Sequence, residues 1–133
     1  DGMGPTWTRL VLRGMEAYPQ ATHGILADAD FTPVTRLDPR QLDVTCSKHS
    51  FRVRSADGTD YRNMDWIYRN VPGVRVARRT HQILQVPALP GQEAYHRLID
   101  FEVQEYAGGY QDRTGRKAER YLDWLHKDLS ENP

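Results

Sequence analysis

The 133-residue chain contains a single cysteine, Cys46. One thiol excludes an internal disulfide and a cysteine-rich structural zinc site. It fits a reducing compartment such as the cytoplasm. An excess of charge of either sign is also missing. Eighteen basic residues balance eighteen acidic ones, for a formal net charge of zero. The chain as a whole therefore exerts no pull on DNA, RNA or an anionic lipid surface, and no nucleic-acid partner is expected. No apolar run approaches the roughly 20 residues of a membrane helix, and the start shows no signal-peptide pattern. The chain begins at Asp1 rather than Met, so a targeting segment would lie upstream. Hydrophobic residues are only 38% of the total, against 27% charged. That is lean for a domain burying its own core, yet not a disordered composition. Three Trp, seven Tyr and three Phe are present to anchor packing.

The first apolar pattern is helical. Pro5 suits a first turn, Trp7, Leu10, Val11, Met15 and Tyr18 follow at helical spacing, and Pro19 ends the run. The stretch THGILADAD, residues 22–30, then holds a short apolar run at 25–27, as in a strand covered on both faces. A helix leading closely into such a strand suggests a layered α/β domain. Phe31-Thr32-Pro33 reads as a break. Residues 42–54 read as a strand, Asp57-Gly58 as a hairpin turn, and 61–68 as the returning strand. Short strands are expected at 74–77 and 81–86, and a half-buried one at 98–103, with Ile99, Phe101 and Val103 inward and Asp100 and Glu102 outward. Residues 114–130 predict a closing helix with Ala118, Tyr121, Leu122, Leu125 and Leu129 on one face.

The sharpest chemical feature is Asp28-Ala29-Asp30. Residues i and i+2 of a strand face the same way, about 6–7 Å apart. Two carboxylates so placed can converge on one hard cation, and Mg²⁺ or Mn²⁺ prefers oxygen ligands completed by substrate phosphates. In open α/β sheets the ligand crevice lies beyond the carboxyl ends of the strands. The same acidic pair could equally serve a turn or a helix cap.

The run ATHGILADADFTP resembles the metal-binding strand of family-2 glycosyltransferases with the GT-A fold. Downstream, YRNMDWIYRNVPGVRVARRTHQIL is similar to the family's succession of an Arg-led strand, an Arg-Asn step, a basic strand and a His-Glu pair. Those positions here are Arg62, Arg69-Asn70, Arg75 and His81-Gln82. The end, GGYQDRTGRKAERYLDWLHKDLSENP, is similar to the closing helix of members that carry tetratricopeptide repeats. The resemblance spans about residues 5–133. It implies an α/β partial GT-A (nucleotide-diphospho-sugar transferase) domain with a β-hairpin insertion and a closing C-terminal helix. Residues 1–133 would then be one incomplete domain lacking its N-terminal nucleotide-binding half.

By that resemblance, Asp28 and Asp30 hold Mg²⁺ or Mn²⁺ and, through it, the diphosphate of a UDP- or GDP-linked sugar. The reaction implied is inverting transfer of the sugar to an acceptor hydroxyl, which needs a general base. Gln82 departs from the family's carboxylate and cannot take a proton at neutral pH. That leaves His81 as a metal-diphosphate contact or as the base, with Asp65 the other candidate for the base. Arg78 and Arg79 are candidate diphosphate clamps, or else part of a solvated strand face. The alternative to catalysis is a non-catalytic glycosyltransferase-like binding or scaffold module. Cys46 is expected in the core, as is Trp66.

Overall fold

The computed structural model describes residues 3–78, 82–91, 96–106 and 117–131. Helix α1 spans Met3–Ala17. Its inward stripe is Gly4, Trp7, Thr8, Val11 and Met15, at steps of three and four. Leu10 and Tyr18, expected on that stripe, are exposed at 55% and 71%. Trp7 meets Trp66 of the sheet with ring centroids 5.0 Å apart.

The strands are β1 (His23–Ile25), β2 (Phe31–Pro33), β3 (Lys48–Arg54), β4 (Tyr61–Arg69), β5 (Arg75–Ala77), β6 (Ile83–Gln85) and β7 (His96–Glu105), followed by helix α2 (Lys117–Glu131). Five of them form one mixed sheet in the order β1-β4-β3-β7-β2, and β5 and β6 form a separate ribbon. Strands β1, β3 and β7 share one direction. Strand β4 runs against β1 and β3, and β2 runs against β7. The architecture is thus mixed α/β, with β3 at its centre. Among the described residues no helix is long and apolar enough to cross a membrane.

Sheet order and chain order together dictate a curl. β1 and β2 occupy opposite edges, yet only residues 26–30 join them. Four inter-strand gaps of about 4.8 Å span about 19 Å. Six extended peptide steps reach little further, at about 3.3–3.6 Å each. This link also turns, so the sheet must bend until its edges approach at that end.

Several expectations are corrected. β1 is an edge strand, and Ile25 is 41% exposed rather than covered. Residues 31–33 do not break the chain; they pair with β7 in the register Phe31↔Glu105. The strand expected over 42–54 begins only at Lys48, because Asp43 turns the chain. Its carbonyl accepts the Cys46 N–H and its carboxylate accepts the Thr45 N–H. The hairpin marked by Asp57-Gly58 is present, with Gly58 at φ +76°, but it forms the middle of the sheet rather than an insertion. Ile99, Phe101 and Val103 are buried as expected, and so is Glu102, because Arg54 reaches it with Nε at 2.9 Å. In α2 the apolar residues Leu122, Leu125 and Leu129 remain exposed, so the closing role expected of that helix has no buried face behind it. Residues 114–116 of the expected helix lie outside the described residues.

Candidate functional site

Residues 26–30 run from the end of β1, which is level with His49 near the start of β3, to β2, whose first residue pairs with Glu105 at the carboxyl end of β7. Leu26 prolongs the β1 pairing through its N–H to the Trp66 carbonyl. The Asp28 carbonyl then accepts the Phe31 N–H at 3.1 Å, closing a tight turn, and the Asp30 carbonyl accepts the Tyr106 N–H at 2.7 Å. Asp28 and Asp30 therefore sit on a turn beyond the strand, not on the strand as their spacing suggested. The turn is tied to β7 through Tyr106 and through β2. The Phe31↔Glu105 register brings Glu105 to the same end. Arg62, in the first residues of β4, is hydrogen-bonded and ion-paired to Glu105.

The electrostatics follow from this grouping. The Asp28 carboxyl is pushed above the ordinary carboxylate range, first by partial burial and then by the negative charge of Asp30. Glu105 adds to the shift and Arg62 opposes it. Three acidic groups and one cation thus share this corner, and the cation is already engaged by Glu105. Ionising Asp28 costs the fold some stability, and that cost grows as pH rises through its raised pKa. A bound cation would remove the cost. Two hard carboxylate oxygens suit Mg²⁺ or Mn²⁺, which complete their shells with phosphate oxygens and water. Among the described residues no three His, Cys, Asp or Glu side chains form a metal-holding group. Two carboxylates are too few for an all-protein cage.

The other candidates are dispersed. Asp65 lies where β4 carries an extra residue against β3, and it is ion-paired there to Lys48. Lys48 Nζ also reaches the Leu84 carbonyl at 3.3 Å, which fixes it between the sheet and β6. Asp65 is thus held by an ammonium rather than standing free beside Asp28. Arg78 follows β5 with an exposed side chain and the left-handed φ of +65°. Its placed contact is its backbone, which lies against Gly4 of α1. His81 and Arg79 lie outside the described residues. Cys46 and Trp66 are buried, as expected.

Sequence reasoning missed Glu105 and gave Arg62 no partner. Neither has a spacing signal, because a cross-sheet register 43 positions apart brings them together. It also missed the contact between His23 and His49, whose rings meet edge to face at 5.3 Å. Their 26-residue separation in sequence hides that contact. No protein-family model matches this sequence, and no curated protein matches it either.

Proposed function

We propose that the Asp28–Asp30 turn holds Mg²⁺ or Mn²⁺ against the diphosphate of a UDP- or GDP-linked sugar, and that the chain contributes this site to an inverting GT-A glycosyltransferase. The observation that carries the reading is the pair of part-buried carboxylates beside the carboxyl ends of the codirectional strands β3 and β7, with Asp28 raised by burial and then by Asp30. Ligand crevices of open α/β sheets lie at such ends. The cation, when bound, would neutralise the charge that builds on the leaving diphosphate. The chain's own part is to hold the two carboxylates in one turn through the Phe31 and Tyr106 amides. Arg62 stands beside them, poised to exchange Glu105 for a phosphate oxygen. His81 is the remaining base candidate in this scheme, since Asp65 is held by Lys48.

Two observations favour a second reading, a glycosyltransferase-like binding module without catalysis. Gln82 stands where the resembled family has a carboxylate, and the Lys48 pair occupies Asp65.

Calorimetric titration with Mn²⁺, with and without UDP or GDP, tests the shared site. Mn²⁺ should bind, and bind more tightly with the nucleotide present. Asp28→Asn or Asp30→Asn should abolish the effect without lowering the melting temperature. Mn²⁺ binding unchanged by both substitutions would overturn the site. Metal-dependent hydrolysis of a UDP- or GDP-sugar would then separate the enzyme from the module, which should show none.

A further inference from the structure

Residues 43–47 form a tight loop between the core and β3, and one side chain pins it. His49 is fully buried on β3, and its Nε2 accepts the backbone N–H of Asp43 at 3.0 Å. An imidazole nitrogen that accepts a hydrogen bond carries no proton, so the neutral ring holds its proton on Nδ1. That Nδ1 is buried and has no hydrogen-bond partner. Protonating His49 would place a second N–H on the nitrogen that receives the Asp43 amide. The hydrogen bond would then become a clash of two donors.

The surroundings offer the charged ring little relief. From β1, His23 packs edge-on against it, with its own Nε2 buried and unpartnered and its Nδ1 3.0 Å from Thr22 Oγ1. From β7, Arg97 and His96 oppose a positive charge on His49; on His23 the Asp43 backbone and carboxylate favour a charge and Arg69 of β4 opposes it. From the loop, only the Asp43 carboxylate favours the charge on His49. That carboxylate is already committed to the Thr45 N–H at 2.8 Å and the Thr45 hydroxyl at 2.7 Å.

We propose that His49 is an acid-sensitive latch: its neutral imidazole holds the 43–47 loop down over the buried Cys46, and protonation releases the loop. Burial is the leading cause that depresses both histidines below the ordinary value of 6.5, and for His49 the neighbouring His23 follows it. The sign is therefore fixed. The folded state binds fewer protons here than the unfolded chain, so stability is complete above 6.5 and falls as pH drops below it. Leu42, which packs against the core, precedes Asp43, so release also loosens the apolar cover beside β3.

Cys46 is the sole cysteine and is 0% exposed, which makes it a built-in reporter. Its labelling rate is measured from about pH 8 to about pH 5. Each rate is divided by that of a peptide of residues 43–47 at the same pH, which cancels the titration of the thiol itself. Protection should fall roughly tenfold or more across that range, with the far-ultraviolet circular dichroism unchanged. In His49→Gln the amide oxygen can accept the same N–H but cannot be protonated there. Its protection should match the wild type at high pH and stay flat. In the wild type, loss of Asp43 amide protection by NMR should share its midpoint with the His49 ring. That comparison decides the matter even if the variant fails to fold. Protection independent of pH in the wild type, an unaltered pH response in His49→Gln, or a midpoint that follows His96 instead would each overturn the latch.

Discussion

Replacing Phe51 with alanine should destabilise the fold by about 3–5 kcal/mol, the usual range for removing a buried phenyl ring. Phe51 is completely buried on the central strand β3. Its ring lies 5.5 Å from that of Phe101 on β7 and 6.4 Å from that of Phe31 on β2. These contacts cross three strands that hydrogen bonds alone would join. Both ring partners are fixed by paired backbone, so the cavity should not collapse, and incomplete collapse is what raises the cost. A domain of this size has about 5–15 kcal/mol in hand. Urea unfolding should therefore show the midpoint of Phe51→Ala displaced by a large fraction of the whole range. A loss below about 1 kcal/mol would mean that the site repacks and that the three rings are not the centre of the core.

The second large effect is expected from one added methyl group. A Cβ on Gly4 would lie 2.1 Å from the carbonyl oxygen of Arg78 and 3.1 Å from that of Val76. Both oxygens are backbone, so no rotamer change relieves the overlap. Helix α1 would have to lift from β5. Lifting would break the bridge by which the Thr8 hydroxyl accepts the Val76 N–H at 2.9 Å and donates to the Val76 carbonyl at 3.2 Å. Gly4→Ala should therefore cost about 1–3 kcal/mol or more, and Val11, 1% exposed beneath the helix, should become partly accessible. Gly14 provides the contrast, because nothing lies within 4 Å of a Cβ there. Gly14→Ala should stabilise the helix by about 0.5–1 kcal/mol. Thermal melts of the two variants check both signs. A neutral Gly4→Ala would mean that α1 does not depend on this close approach.

Local signals in the sequence were legible where local physics governs. The existence of α1, the Asp57-Gly58 turn and the inward alternation of Ile99, Phe101 and Val103 are all set by neighbours in the chain, and all appear, although Leu10 and Tyr18 leave the inward stripe of α1. The failures lie where partners are distant. Ile25 and Leu26 look like a doubly covered strand, but whether a strand is central or an edge depends on pairing with β4. Residues 31–33 contain proline and read as a break; at a sheet edge, proline is tolerated in a strand because one side needs no N–H donor. Glu102 fits the outward position of an alternating strand, and Arg54 and Arg52, far away in the sequence, bring it inside. The Asp28–Asp30 pair was visible from its residue types. Its backbone was not, since the turn depends on Tyr106 and on the pairing of β2 with β7. Arg62 and Glu105, the other charges at that corner, meet only through the sheet.

The parallel pairing of β3 with β7 also sets the order in which the sheet can assemble. β3 and β4 are joined by a short turn and can zip together within microseconds, as hairpins do. β7 joins only after all of β4, β5 and β6 has been made, so closing that loop must be paid for before the pairing gives any return. Until then β3 exposes an open hydrogen-bonding edge with Phe51 uncovered on its face, and in that interval a second chain can compete with β7 for the same place.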